Sequence, residues 1–95
     1  MHATVRQYDG VENPAELNRQ VTETFLPLMK DIPGFIGYYF IDVGDNGGRM
    51  VSISLFENEE GTAESNKRAA EWVQAHPGLV PPAISSEAGQ VVVGG

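Results

Sequence analysis

The side chains best suited to chemistry lie in segment 66–76, which has helical periodicity. Asn66 lies on a stripe that is otherwise apolar, so its amide needs a hydrogen-bonding partner in the protein or on a ligand. On a ligand, the amide could hold a carbonyl or enolate oxygen and stabilise negative charge as it develops. The structural alternative is a hydrogen bond to a strand hydroxyl such as Ser52 or Ser54.

Trp72 and His76 lie four residues apart on one margin of the same predicted helix, so their rings could line one cavity mouth. His76 could act there as a base, because histidine ordinarily titrates near neutrality. The alternatives are structural: a favourable charge at the helix C-terminus for His76, and a core or dimer contact for Trp72. Asn66, Trp72 and His76 are the catalytic candidates.

Four residues are candidates for substrate binding. Tyr38 and Tyr39 are neighbours on a predicted strand and must point to opposite faces, so at most one enters a cavity. Arg6 shares a face of the first strand with Tyr8 and could bind an anionic substrate. Since the chain has 13 acidic residues, an ion pair is the favoured interpretation of Arg6. Ser54 is the fourth candidate.

Several chemistries are not expected from this sequence. It has no cysteine, and its serines lack the context of a nucleophile elbow. The two histidines are isolated, and the acidic residues near position 59 are better explained as helix-start carboxylates than as a metal site. Gly44 to Gly48 join two predicted strands, so they do not form a phosphate loop. We expect no metal and no other cofactor.

Composition indicates a single globular domain over residues 1–95, with a net charge of −7. That charge repels phosphate backbones and anionic membrane surfaces, so nucleic acid and membranes are not expected partners. The N-terminal residues lack the pattern of a signal peptide, and no apolar run is long enough to span a membrane. We therefore expect a cytoplasmic protein.

The first half of the chain predicts a strand, a helix and a second strand. Residues 2–8 alternate as a strand does. Asn13 then provides an N-cap, with Pro14 in the first turn and Glu16 placed to bond back to the cap. An apolar stripe continues to Ile32, although Pro27 removes one helical hydrogen bond and should loosen the last turn. The second strand runs over 35–43.

The second half predicts a hairpin, a helix and a closing strand. Residues 50–56 pair with the second strand, and Asn58 caps a helix that ends near His76. An apolar stripe of this helix contains Ala63, Asn66, Ala70 and Val73. Residues 87–93 alternate as a last strand. The βαββαβ order predicts an α+β, ferredoxin-like domain with a four-stranded antiparallel sheet and both helices on one face.

The second strand is bulky on both sides, although two helices can cover only one side of a sheet. Phe35, Tyr39, Ile41 and Val43 are predicted on one side, and Ile36, Tyr38 and Phe40 on the other. One of these sets would form an exposed apolar patch in a monomer, and such patches usually mark an interface. We therefore expect a symmetric homodimer through the sheet face opposite the helices.

The segments Pro33 to Tyr38, Ser52 to Asn58 and Ala69 to Val73 resemble the antibiotic biosynthesis monooxygenase family, and the resemblance spans residues 1–93. It implies a dimeric α/β barrel with a cavity between sheet and helices. Some relatives oxygenate aromatic polyketides there with molecular oxygen and no metal or flavin, and others degrade haem. The haem degraders carry an asparagine on the first strand and a tryptophan early in the second helix. This first strand has no asparagine and the helix position is Ser65, which argues against haem cleavage.

Three functional hypotheses follow. The first is a cofactor-independent monooxygenase acting on an aromatic or polyketide-like molecule in the cavity between sheet and helices. The second is a non-catalytic homodimeric module that binds a small molecule. The third, an accessory oligomerisation domain, predicts no hollow large enough for a ligand. A cavity in the structure separates the third hypothesis from the other two.

Overall fold

The computed structural model describes residues 1–44 and 48–95. The strands are β1 (His2–Tyr8), β2 (Phe35–Asp42), β3 (Met50–Phe56) and β4 (Ser85–Gln90). The helices are α1 (Pro14–Gln20), α2 (Leu26–Lys30) and α3 (Glu59–Ala75), and a π-helical turn (Val21–Phe25) joins α1 to α2. The sheet order is β2-β3-β1-β4 and all pairs are antiparallel, which confirms the ferredoxin-like prediction.

The turn between β2 and β3 is described at its two ends. Gly44 and Gly48 have φ values of 82° and 70°, which is the region that favours glycine. Gly48 also touches the backbone of Val11, whose amide donates to the Gly48 carbonyl at 3.2 Å. The predicted turn residues 45–47 lie outside the described residues.

The first helical segment begins as predicted, since the Asn13 side chain accepts a hydrogen bond from the Glu16 amide at 3.2 Å. The predicted return bond from Glu16 is wrong, because its carboxylate pairs with Arg19 instead. Pro27 has no amide hydrogen to give the Glu23 carbonyl, and the helix widens just before it. The Leu26 amide bonds to the Val21 carbonyl five residues earlier. The loosening predicted for the last turn therefore lies in the turn before Pro27.

The side of α3 that faces the sheet is rotated from the predicted stripe. Its buried residues are Gly61, Thr62, Ser65, Ala69 and Trp72, whereas Ala63 and Ala70 are exposed. Small polar residues can be buried here because their hydroxyls bond to helix carbonyls three residues back, Thr62 to Glu59 at 2.7 Å and Ser65 to Thr62 at 2.8 Å. Hydrophobicity alone therefore placed the stripe one position away from the buried side.

Strand β2 has a register shift between Phe35 and Gly37 that changes the predicted faces. Beyond it, Tyr38 and Phe40 pack toward the helices, and Phe35 joins them. Ile36 is exposed like Tyr39, Ile41 and Val43. The predicted sets were therefore wrong for Phe35 and Ile36, because a bulge adds a residue to one strand and breaks strict alternation.

The last strand is offset from its prediction over 87–93. Strand β4 pairs with β1 from Ser85 to Gln90, and β1 ends at His2 opposite Gln90. Beyond this point the Val91 amide bonds to the Met1 carbonyl at 2.8 Å. Val92 and Val93 therefore lie outside the strand despite their β propensity, because they lie beyond the residues that pair with β1.

One hydrophobic core lies between the sheet and the helices. It combines β-strand residues with residues from all the helical segments, and its best-buried members are Leu17, Met29, Met50 and Phe56. Aromatic contacts link the layers, with Phe25 packed against both Tyr38 and Trp72 at ring-centre distances of 5.3 Å. The opposite face of the sheet contributes nothing to this core.

Candidate functional site

A cleft of about 490 Å³ opens where α3 leaves the sheet beside β1 and β4. Strand residues form its floor, the outer margin of α3 forms one wall, and the connection to β4 forms the other. The lining residues are Arg6, Tyr8, Asn66, Ala69, Ala70, Val73, Gln74, Pro82, Ala83 and Ser86. The predicted stripe of α3 thus supplies the cleft wall through Asn66, Ala70 and Val73. A volume of this size suits a small-molecule site.

Arg6 is the charged residue of this lining. It lies on β1 between Ser52 of β3 and Ser86 of β4 and is only 4% exposed. Its Nη2 donates to the Asn66 amide oxygen at 2.5 Å and to the Ser65 hydroxyl at 3.4 Å. The favoured ion pair is wrong, because no carboxylate in residues 1–44 and 48–95 contacts Arg6. Burial lowers the pKa of Arg6, and the nearby phenols of Tyr8 and Tyr38 oppose that effect.

Asn66 is half-buried, and its amide oxygen is the acceptor for Arg6. The alternative partners Ser52 and Ser54 are therefore wrong. Because the oxygen faces Arg6, the amide nitrogen is the end that can donate to something else. Within the described residues that nitrogen has no acceptor, so Arg6 orients Asn66 as a hydrogen-bond donor at the cleft.

A small apolar hollow of about 20 Å³ continues inward from the cleft. The two spaces share Tyr8, Ala69 and Val73, and the inner one also reaches Tyr38 and Trp72. It has room for about one water molecule, so any larger ligand would lie in the outer cleft. Rings and aliphatic side chains form most of its wall, which places an apolar end next to the polar groups Arg6 and Asn66 of the cleft.

Both phenols at this junction are held protonated by their surroundings. Burial raises the pKa of Tyr38 well above its usual range, with a further contribution from Tyr8 and an opposing one from Arg6. Burial also raises the pKa of Tyr8, and Arg6 again opposes it. At neutral pH the two hydroxyls can therefore donate hydrogen bonds, but they do not supply a phenolate base.

Three buried hydroxyl groups lie in a row under α3, next to Arg6. Thr4, Ser52 and Ser54 are at most 1% exposed, and their oxygens have no hydrogen-bonding partner among the described residues. The Ser52 hydroxyl lies beside the phenols of Tyr8 and Tyr38 without reaching hydrogen-bond geometry. Ser54 is one of this row, so the structure places this predicted substrate contact behind the cleft surface.

Trp72 and His76 do not share a cavity mouth. Trp72 is buried, donates from Nε1 to the Thr24 hydroxyl at 2.9 Å, and forms part of the inner hollow. His76 stacks on the outer side of Trp72 with ring centres 4.2 Å apart, and its Nδ1 lies 2.7 Å from the Trp72 carbonyl. His76 lines neither the cleft nor the inner hollow.

The structure also decides between the two tyrosines. Tyr38 faces the helices and the inner hollow, whereas Tyr39 is 59% exposed on the opposite face of the sheet. Tyr39 therefore cannot contact a ligand in the cleft of its own chain. Sequence reasoning missed Tyr8, Gln74 and Ser86 as lining residues. The alternation that puts Tyr8 on the same face as Arg6 was the available signal.

Residues 1–44 and 48–95 contain neither a candidate metal site nor a candidate membrane-spanning helix. There, no cluster of three or more histidine, aspartate or glutamate side chains is placed to hold a metal ion. No described helix combines the length and apolar character needed to cross a membrane.

Solved structures with the same fold include several oxygenases. A haem degrader, MhuD from Mycobacterium tuberculosis, matches with 19% identity and a TM-score of 0.70, covering 99% of this chain and 98% of the other. A monooxygenase from the gene ActVA-Orf6 of Streptomyces coelicolor, in complex with nanaomycin D, matches with 20% identity and a TM-score of 0.63, covering 98% and 90%. The cofactor-independent oxygenase SnoaB from Streptomyces nogalater matches with 18% identity and a TM-score of 0.65, covering 96% and 95%.

These matches define the class of fold. The chain has the antibiotic biosynthesis monooxygenase-like fold, as its strand and turn segments predicted. Neither a family model nor a curated protein sequence matches the chain. At identities of 12 to 21%, the structural likeness establishes the fold, and the function has to be argued from the site.

Proposed function

We propose that the protein is a cofactor-independent monooxygenase that acts on an aromatic or polyketide-like small molecule in the cleft between the sheet and α3. The observation that carries the proposal is the cleft itself, in which an oriented amide and protonated phenols meet an apolar hollow. The same fold is used by a cofactor-independent oxygenase, which makes this chemistry compatible with the architecture.

In the proposed reaction the substrate supplies all the electrons. A methylene group between aromatic rings, as in an anthrone, loses a proton to water in the open cleft to give an enolate. The enolate adds molecular oxygen, and the peroxide anion that forms takes a proton from water to become a hydroperoxide. The resulting hydroperoxide loses water to give a carbonyl, so one oxygen atom enters the product and the other leaves as water. Asn66 stabilises the enolate oxygen by donating from its amide nitrogen, and such donors act strongly in a partly dry site.

The remaining candidates have supporting roles in this proposal. Tyr8 offers a further hydrogen bond to a substrate oxygen in the cleft, whereas Tyr38 and Trp72 line the inner hollow behind it, which holds about one water molecule. His76 keeps its predicted role as a base only if it reaches the substrate by a change of rotamer, since it stacks against Trp72. The substitution His76→Gln therefore tests the role of His76 as a base separately from the other residues.

Oxygen consumption tests the proposal directly. We expect the protein to accelerate oxygen uptake by an anthrone or by an acidic polyphenol above the buffer rate, with one carbonyl formed per oxygen consumed. Asn66→Ala should lower the rate by about 10² to 10³, the usual effect of losing one donor to a developing oxyanion. Ala63→Ser, on the exposed side of α3, is the matched control and should leave the rate unchanged. A panel of anthrones and phenols with no uptake above buffer at several pH values would contradict the proposal.

The proposed assembly is a homodimer through the sheet face opposite the helices. On this face Ile36, Tyr39, Ile41 and Val43 of β2 are 43 to 59% exposed. The row continues across the sheet through Ile53 of β3, which pairs with Tyr39 on one side. An apolar surface of this extent is costly in water, and a second copy buries it symmetrically. Analytical ultracentrifugation at micromolar protein concentration tests this proposal. A protein that sediments as a monomer would contradict it.

A second function, non-catalytic binding of a small molecule, is favoured by one observation. The cleft lining contains neither a carboxylate nor a histidine, so it offers no ordinary general base. A carrier or sensor needs none. Mass spectrometry of small molecules that copurify with the protein separates the two functions. A ligand recovered unchanged after incubation with oxygen supports binding, and an oxygenated product supports catalysis.

A further inference from the structure

The buried charge of Arg6 has no counter-charge among residues 1–44 and 48–95. With 4% of its surface exposed, Arg6 has left most of its hydration, and a buried charge is normally paired. Its partners in the described part of the chain are two neutral groups, the Asn66 amide and the Ser65 hydroxyl. Both are reached from Nη2, so the donors on Nε and Nη1 have no acceptor in residues 1–44 and 48–95.

The groups around Arg6 are also mostly donors. Asn66 turns its oxygen to Arg6, which leaves its amide nitrogen facing outward. Tyr8 is held protonated by burial, which raises its pKa. Ser86 lies opposite Arg6 across the β1–β4 pair and adds a hydroxyl to the same cleft. Since the lining contains no carboxylate, nothing in the cleft repels an anion at short range.

We infer that the cleft binds its small molecule through an anionic carboxylate, which takes the place of the missing partner of Arg6. The inference rests on the proposed use of the cleft as the binding site, and it narrows the substrate class to aromatic acids. A carboxylate accepts the guanidinium donors in parallel, which a neutral oxygen cannot do as well. The aromatic part of such a ligand would extend along Ala70 and Val73.

A matched pair of probes tests the inference. 2-Naphthoate and 2-naphthamide have the same ring system and nearly the same shape, and they differ in charge. By isothermal titration calorimetry we expect the wild-type protein to bind the naphthoate at least about tenfold more tightly, as charge-assisted hydrogen bonds are roughly twice as strong as neutral ones. Arg6→Gln should remove this preference and retain binding of the naphthamide. Arg49→Gln removes an exposed arginine whose partner is Gln7, and it should keep the preference.

A second variant keeps the inference testable if Arg6→Gln does not fold. Asn66→Asp has nearly the same shape as the wild type and places a carboxylate beside Arg6, where the Asn66 oxygen now lies. It should fold, because it supplies the missing charge internally, and it should lose the naphthoate preference by repelling the ligand and occupying Arg6. Thermal unfolding and circular dichroism of each variant establish that it is folded.

The outcomes are distinct. A naphthoate preference that is lost in both Arg6→Gln and Asn66→Asp supports the inference. Equal affinities of the wild-type protein for the two probes, or a preference that survives both substitutions, overturn it and leave the cleft as an aromatic-binding site. Failure of both probes to bind at millimolar concentration overturns the inference together with the proposed use of the cleft.

Discussion

Tyr38 and Tyr39 have different environments although they are neighbours in the chain. Tyr39 is 59% exposed on the open face of the sheet, whereas Tyr38 packs against Phe25 and borders the inner hollow. Burial holds the pKa of Tyr38 well above its usual range, and proximity to Tyr8 adds to that effect. Tyr38 is therefore a hydrogen-bond donor in the physiological range, and it couples the stability of the protein to alkaline pH.

The pH dependence follows from the sign of this shift. Because folding raises the pKa of Tyr38, its contribution to stability is complete below about pH 10, where the unfolded phenol is also protonated, and it is lost as pH rises further. The loss amounts to at most about 1.4 kcal/mol per pH unit for one group. Between about pH 9.5 and about pH 11, the unfolding free energy of the wild type should fall. Tyr38→Phe should make this fall smaller, as measured by urea denaturation.

Tyr39→Phe is the matched control for this experiment, since it removes the same hydroxyl from the exposed face. It should leave the alkaline slope as in the wild type. Tyr8 also has a raised pKa, so part of the slope should remain in Tyr38→Phe. The burial argument fails if Tyr38→Phe and Tyr39→Phe change the slope equally.

At the level of single residues, the sequence predicted which face of a strand a side chain lies on better than it predicted that side chain's hydrogen-bonding partner. Strict alternation put Arg6 and Tyr8 on one face of β1, and the structure confirms it. The ion pair expected for Arg6 was wrong because its actual partner, Asn66, is 60 residues away in the chain. That contact depends on how far α3 is rotated about its axis, which local spacing does not determine.

Helix α3 illustrates how the packing distance between two elements is decided by small residues. Its buried side carries Gly61, Ser65 and Ala69, and a side chain at position 61 would meet Phe56 of β3. These small side chains let the helix approach the sheet closely, whereas the larger Trp72 packs against Phe25 of the π-helical turn. The cleft opens along the outer margin of the same helix, so the closeness of this packing positions Asn66 over Arg6.

Gly61→Ala tests this close approach. A methyl group at position 61 would lie 2.7 Å from the Phe56 Cβ, which is closer than non-bonded carbon atoms approach one another in proteins. Intrinsic helix propensity favours alanine over glycine by about 1 kcal/mol, but overpacking costs about 1 to 3 kcal/mol. We expect a net loss of unfolding free energy in chemical denaturation, because Phe56 is fully buried and cannot move aside.

The control for Gly61→Ala is Gly89→Ala. Gly89 lies in β4, and a methyl group there would meet nothing within 4 Å. It should leave stability unchanged or slightly increase it. A Gly61→Ala variant that is more stable than the wild type would show that α3 can shift outward freely, and the argument for a rigidly placed Asn66 would fail with it.

The elements themselves were predictable because caps, prolines and periodicity act locally. Asn13 and Asn58 both cap the helices that they were expected to begin. The bulge in β2 was not predictable, since Ile36 and Phe35 are both apolar and either fits either face. The end of β4 was also missed, because the length of the partner strand limits it and the valines of residues 91–93 do not.

For the whole molecule, the order of elements was sufficient to predict the sheet topology, and the matches to solved structures confirm that fold. The site was less predictable, since its walls come from β1, α3 and the segment before β4, and it depends on their mutual placement. The two faces of the sheet have different roles. One face carries the core and the cleft, and the other presents apolar side chains that the chain alone leaves uncovered.

The uncovered face gives a prediction for assembly. Ile53 lies at the centre of the exposed row, with Tyr39 and Val5 as its neighbours on adjacent strands. If two such faces pack together, Ile53→Asp buries an unpaired carboxylate at the centre of the interface, which is strongly unfavourable. We expect sedimentation equilibrium to show a dimer for the wild type and, for the variant, a dimer dissociation constant raised by at least about 100-fold, roughly 2.7 kcal/mol.

Ala63→Asp introduces the same charge at an exposed position of α3, on the other side of the molecule, and should remain dimeric. The thermal midpoint of the wild type should rise with protein concentration, whereas that of Ile53→Asp should not, because only association couples stability to concentration. An Ile53→Asp variant that stays dimeric would place the interface elsewhere. Since the cleft lies on the helix side of the sheet and Ile53 lies on the other side, the monomeric variant should still bind 2-naphthoate, which separates assembly from ligand binding.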